Sequence, residues 1–202
     1  MKDPKEYLCG IDPVLGAVIE QTELPERTPP KNHFYALARA IIRQQLSGKA
    51  ADAIERRFVA LFSARKSFFP TPQNILAMPA ERMRSSGLSH AKISYLKNLA
   101  TAVADKTLDF KRLDALSDDN VIALLTTIKG IGRWTAEMFL MFALDRPDVF
   151  SYADLGLRNA MTRLYRLRAH PSRARAEKIS CPWRPYRTLA CRYLLASLNM
   201  NA

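Results

Sequence analysis

Two apolar stretches at helical spacing, separated by four residues of which two are glycine, constrain this chain more than any other feature. Val121, Ile122, Leu124, Leu125 and Ile128 recur at the i, i+3, i+4 positions of a helix face, and Trp134, Met138, Met141 and Phe142 do so after the break. Between them lies Lys129-Gly130-Ile131-Gly132. Glycines one residue apart permit positive φ and leave backbone N–H groups unshielded. The second stretch opens at once, so its first-turn amides and positive dipole end point the same way as the amides of the turn. Such a concavity suits a phosphate oxygen. A dinucleotide-binding loop fits less well, because this G-x-G follows a helix and lacks the third glycine. A helical hairpin indifferent to phosphate remains the plain alternative, and on these residues alone the two weigh evenly.

The same period runs through the rest of the chain. Phe34, Leu37, Ala38, Ile41 and Ile42 form one stripe; Ala51, Ile54, Phe58, Leu61 and Phe62 form a second; Ile93, Leu96, Leu99, Ala100 and Val103 form a third. Start signals precede several of them: Asp12-Pro13, Ser47, Thr71-Pro72, Ser89, and Ser117 with two aspartates behind it. A Pro-rich connector, LPERTPPK, separates the opening segment from the first long stripe. No alternating run of strand length appears. The pattern predicts an all-α protein of roughly ten helices joined by short loops.

Charge says what such a fold would meet. The 31 Lys and Arg against 19 Asp and Glu leave a formal net charge of +12 over 202 residues, which favours a polyanionic partner. The excess is uneven: residues 158–192 hold ten basic side chains and a single acid, Glu177, while the first 27 residues hold three basic and six acidic ones. No apolar run reaches a membrane span and the N-terminus lacks a signal-peptide core, so no membrane association is expected. Cys9, Cys181 and Cys191 make no paired framework, which suits a reducing compartment. His33, His90 and His170 have no metal-ligand spacing.

Two further spots carry candidate chemistry. Asp154 stands at the start of the LGLRNAMTRLY stretch, where the helix dipole favours its ionised form. There it reads either as a helix cap, with Ser151-x-x-Asp154 resembling a capping box, or as a carboxylate held ready for catalysis. Asp148 is a rival carboxylate, though its place beside Pro147 suits a turn. Gln44-Gln45 closes the first long stripe, as an ordinary helix end or as a pair of polar side chains presented at a tip.

The segment 118–158 closely resembles the helix-hairpin-helix element of the base-excision DNA glycosylase superfamily. The string GIGRWTAEMF followed by DVF and Asp154 is similar to the alkylpurine branch, the 3-methyladenine-DNA glycosylase II family. RAIIRQQLSGKAA and GLSHAKISYLKNLA resemble the same family in the same order, so the likeness covers roughly residues 32–200. It implies two helical subdomains, 33–145 and 1–32 plus 146–202, with the active cleft between them. It implies a monomer acting on double-stranded DNA with damaged bases, in the cytoplasm and nucleoid of a prokaryote or the nucleus of a eukaryote.

The resemblance also implies roles. Asp154 would be the catalytic carboxylate, favouring the positive charge that grows on the sugar as the glycosidic bond breaks. Gln44, Gln45, Ser47, Lys129, Gly130, Ile131, Gly132, Arg133 and Arg158 would meet DNA, with Gln45 filling the space of the extruded base. The carbonyls of Thr126, Ile128 and Gly130 would hold a structural Na+ or K+, and no cofactor would be needed for chemistry. Relatives that also cut the strand place a lysine two residues after the second hairpin glycine. Trp134 stands there, so a Schiff base cannot form and a monofunctional enzyme is expected. Trp134, Tyr152, Met138, Leu155 and Arg192 would line the pocket, with the indole facing a cationic alkylpurine. Met138, Leu155 and Arg192 replace pocket aromatics of a broad-specificity relative, and Tyr152 replaces a proline common just before the catalytic aspartate. This points to weakly bonded lesions of the 3-methyladenine and 7-methylguanine type. Three cysteines cannot supply the four-cysteine iron–sulfur cluster of some relatives. The alternatives are a non-catalytic helix-hairpin-helix DNA binder, a glycosylase for another damaged base, and a glycosylase that also cuts the strand.

Overall fold

A computed structural model of the chain describes residues 3–46, 48–62 and 69–198. Among these it holds twelve α-helices, two short 3-10 turns and no strand, so the all-α expectation is met. The helices are α1 (Pro4–Ile11), α2 (Pro13–Gln21), α3 (His33–Arg43), α4 (Gly48–Ala60), α5 (Pro72–Ala77), α6 (Ala80–Arg84), α7 (His90–Ala104), α8 (Asp118–Thr126), α9 (Arg133–Phe142), α10 (Leu155–Leu164), α11 (Arg173–Ser180) and α12 (Arg187–Ser197). Side-chain caps place many of the starts. Asp12, Asn32, Ser89, Ser117 and Ser172 each accept a first-turn amide, and Thr71 with Asn74 forms a full capping box. α1 went unanticipated, although Asp3-Pro4 carries the same cap-then-proline signal as Asp12-Pro13. Ser47, the expected cap of α4, lies outside the described residues.

The chain divides into two compact units, residues 30–139 and residues 1–29 with 140–202; the dividing line falls inside α9. The central unit is built on α3 and α7. Leu37, Ala38, Ile41 and Ile42 of α3 and Leu96, Leu99 and Ala100 of α7 are buried with Ile75, Val121 and Leu125. A polar cluster ties α3 to α4. The buried carboxylate of Glu55 accepts from the Tyr35 hydroxyl at 2.7 Å and from Arg39 Nε at 3.0 Å, while Arg43 bridges Glu55 and Asp52. Burial first, and then the bond to Glu55, push the Tyr35 phenol up to about 12.

In the other unit, Leu8, Leu15, Val18 and Ile19 of α1 and α2 are buried, as are Leu157 and Met161 of α10 and Ala190, Tyr193 and Leu194 of α12. α12 packs on both α2 and α10. Asp12 stitches three segments of this unit. Its Oδ1 accepts the amides of Val14 and Leu15 at 3.1 and 3.0 Å; its Oδ2 accepts the Tyr165 hydroxyl at 2.6 Å and Trp183 Nε1 at 2.8 Å.

The basic stretch 158–192 is less of an open face than its charge suggests. Arg184 and Arg187 converge on Asp148, at 2.8 and 2.6 Å. Arg173 pairs with Glu177, Arg163 donates to the Ser197 carbonyl, and Arg192 donates to the Pro25 carbonyl at 3.1 Å. These five of the ten basic side chains have partners within the unit; Arg166, Arg168, Arg175 and Lys178 are exposed. Sequence counts charge, whereas the fold decides how much of it is spent internally.

Candidate functional site

The hairpin between α8 and α9 is shaped by Gly130. Its φ is +110°, a region that side-chain-bearing residues rarely adopt. A Cβ built there would fall inside the Tyr95 side chain. Gly132 differs: a Cβ built on it meets nothing within 4 Å, so the second glycine leaves one side of the backbone open where α9 begins. The first intrahelical bond of α9 runs from the Ala136 amide to the Gly132 carbonyl at 3.0 Å, so the first-turn amides lie beyond any bond within the helix. Two side chains grip the hairpin carbonyls. Gln44 Nε2 donates to Gly130 O at 3.0 Å, and Asn98 Nδ2 donates to Lys129 O at 3.1 Å.

Gln44 and the segment from Ile128 to Gly132 line an open groove of about 450 Å³, together with Gln45, Lys92 and Tyr95. Lys92 donates from Nζ to Ile42 O at 2.7 Å at the end of α3, and burial lowers its ammonium below the usual lysine value. Sequence reasoning read α7 only as a buried stripe and so missed Lys92, Tyr95 and Asn98. The signal was available: the three lie three residues apart, on one side of a helix whose apolar stripe lies elsewhere. Gly130→Ala therefore combines forbidden backbone with a steric overlap and should cost about 2 kcal/mol or more. Gly132→Ala should change stability by less than about 0.5 kcal/mol. Thermal denaturation of the two variants separates these roles.

The remaining expected contacts fall unevenly. Gln45 is exposed with φ +55°, a left-handed conformation carried by a non-glycine residue. Lys129 is exposed and Ile131 is buried. Arg133 is turned back along α9, where its Nε meets the buried carboxylate of Glu137 at 2.8 Å. On the same helix Trp134 is 39% exposed and Met138 half-buried.

In the other unit, Asp154 is half-buried and is the N-cap of α10, its Oδ1 accepting the Leu157 amide at 2.8 Å. The helix therefore starts three residues later than a box capped by Ser151 would place it; Ser151 lies one turn earlier, and its carbonyl accepts the Asp154 amide at 3.3 Å. Gly156 lets the carboxylate sit close: a Cβ there would approach Asp154 Oδ1 to 3.1 Å and Leu195 Cδ2 to 2.9 Å. Asp148, the rival, is committed to Arg184 and Arg187. Leu155 is 55% exposed. Tyr152 is half-buried, with its hydroxyl 3.4 Å from Pro171 O and the Arg158 guanidinium 5.9 Å from its ring centroid. Arg158 Nε is buried without a hydrogen-bond partner among the described residues.

No group of three or more His, Cys, Asp or Glu is placed to hold a metal among the described residues. Backbone carbonyls are a separate matter. Thr126, Ile128 and Gly130 line the one groove; Ile128 O already accepts the Ile131 amide at 3.0 Å and Gly130 O accepts Gln44. A carbonyl carries two lone pairs, so each keeps acceptor capacity, and a set of neutral oxygens fits a monovalent cation.

The family model described as HhH-GPD superfamily base excision DNA repair protein matches residues 38–185. The chain is 42% identical over 172 residues to DNA-3-methyladenine glycosylase 1 of Schizosaccharomyces pombe, covering 84% of this chain and 75% of the relative. Among solved structures it resembles a 3-methyladenine DNA glycosylase of the same yeast in complex with abasic DNA, with a TM-score of 0.86 and 38% identity, covering 95% of this chain and 94% of that one. It likewise resembles a DNA-3-methyladenine glycosidase of Bacillus halodurans, with a TM-score of 0.83 and 34% identity over 98% and 91% of the two chains. A family model that covers residues 38–185, with relatives matched along most of their length, places this chain in the helix-hairpin-helix superfamily of base-excision DNA repair proteins.

Proposed function

We propose that this protein is a monofunctional DNA glycosylase that extrudes alkylated purines of the 3-methyladenine and 7-methylguanine type from duplex DNA and hydrolyses their N-glycosidic bond. The observation that carries this reading is Asp154, a half-buried carboxylate fixed at the start of α10 in a chain of this family. Relatives that cover most of the chain bear the name of that activity. Acting as a monomer, the protein would grip a phosphate with the backbone at Gly132 and the positive dipole end of α9. Gln45 would enter the space left by the extruded nucleotide. A Na+ or K+ on the carbonyls of Thr126, Ile128 and Gly130 would add positive charge beside that phosphate.

Asp154 supplies the chemistry. As the bond from sugar to base lengthens, positive charge grows on the sugar ring, and a fixed carboxylate lowers the energy of that state without reorganising. The same group orients or deprotonates the attacking water. A cationic alkylpurine is already a good leaving group, so a modest catalyst suffices. Trp134 gains from stacking on any base and gains cation–π attraction from a charged one.

The test is base release from a panel of duplexes, each bearing one defined lesion, with and without borohydride. Release of alkylated purines without a trapped adduct is expected, because an indole forms no imine. A covalent adduct, or release confined to oxidised bases, would refute the proposal. Affinity should fall as salt rises, because exposed Lys and Arg release condensed counterions.

A further inference from the structure

Gln44 and Gln45 are neighbours in sequence, yet the fold treats them differently. Gln44 is half-buried and its amide donates to Gly130 O at 3.0 Å, across 86 positions of sequence. Gln45 is exposed at φ +55°, so its side chain is carried outward by a turn whose backbone is itself costly to form. We infer that Gln44 is a positioning residue that couples the Gln45 turn to the hairpin, so that gripping a phosphate and inserting Gln45 become one cooperative event. The inference rests on the proposed roles of the hairpin as anchor and Gln45 as wedge.

The physical route is short. Gly130 O belongs to the hairpin peptide unit that continues into Ile131, whose amide donates to Ile128 O at 3.0 Å. Gln44 thus joins a chain of hydrogen-bonded peptide dipoles, and each such bond strengthens its neighbours. An anion drawn to the hairpin amides, or a cation on the Gly130 carbonyl, alters the pull on that carbonyl and hence on Gln44. Tyr95 packed on Gly130 and Asn98 on Lys129 O hold the hairpin from α7. Movement of the hairpin is therefore constrained on that side, while Gln44 forms a link to the turn.

The experiment is a double-mutant cycle on the full chain, reading the Kd for a duplex with a stable abasic-site analogue. Gln45→Ala perturbs the wedge and Gly132→Ala perturbs the anchor. In the parent background the two effects should be non-additive by about fivefold, as for residues sharing one hydrogen-bond network. In a Gln44→Met background, which keeps side-chain length but donates no hydrogen bond, they should simply multiply. A generally destabilised protein would lose affinity without abolishing the coupling, so the cycle distinguishes positioning from scaffolding. If Gln44→Met loses its helical circular dichroism, Gln44→Asn, one methylene too short to reach, replaces it. Coupling that persists without the donor, or none in the parent, overturns the inference. Failure of the proposed function would show separately, as no base release by the parent protein, because the cycle reads binding alone.

Discussion

Asp154→Asn should slow base release by roughly 10²-fold or more while leaving duplex affinity within a few-fold and the fold intact. Its value as a test comes from the two jobs Asp154 would hold. The carboxylate caps α10 through the Leu157 amide, a role that asparagine fills about as well as aspartate. Asparagine cannot supply the negative charge that favours the developing cation on the sugar. Asp154→Ala mixes the two effects, losing the charge and about 1 kcal/mol of cap. Single-turnover release from a duplex bearing 7-methylguanine measures the first effect, and thermal denaturation measures the second. Release by Asp154→Asn at the parent rate would leave a protein that binds DNA without cleaving it.

Asp12→Ala should cost about 4 kcal/mol, among the largest stability losses open to a single polar substitution here. The cap of α2 is worth about 1 kcal/mol. The Tyr165 hydroxyl and Trp183 Nε1 then lose the Asp12 acceptor in a setting where each orphaned donor costs about 1–3 kcal/mol. Trp183 is buried and Trp134 is one of the exposed apolar residues, so the emission of Trp183 in a Trp134→Phe background reports this region selectively. A denaturation midpoint unchanged by Asp12→Ala would sink this account. Alkaline stability gives a second readout. The Tyr165 phenol lies well above its ordinary value of 10.0, through burial first and the bond to Asp12 second. A raised value favours the protonated phenol in the folded state, so this stabilisation is complete below about pH 10 and is lost as pH rises beyond it. Tyr165→Phe should flatten that alkaline decline.

Much of the architecture was legible in the residue pattern. The 3.6-residue spacing of Phe34 to Ile42, of Ile93 to Val103 and of Val121 to Ile128 reports faces that are largely buried, and Asn, Ser, Thr and Asp caps mark where helices begin. α1 was missed although its Asp3-Pro4 signal was present, because a short helix with one buried leucine has little periodicity to show. Charge was read less well. The arginines at 163, 173, 184, 187 and 192 look alike in the chain, and only packing reveals that each has an internal partner. The Ser151 and Asp154 pair illustrates the same limit locally: two capping residues three apart fit one box in sequence, and only the fold shows that the helix starts after Asp154, which is its N-cap.

The sequence by itself determined the helical period, most of the caps and the glycine-bearing hairpin, since these depend on residues within about one turn of each other. Only the tertiary structure decided that Gly130 is required by Tyr95 as well as by its own φ, that Gln44 is spent on a hairpin carbonyl, and that Asp12 joins α2 to Tyr165 and Trp183. The physical reason is the range of the interaction. A cap or a stripe is closed within a few residues, whereas a hydrogen bond across 86 or 171 positions exists only once packing has brought the two ends together.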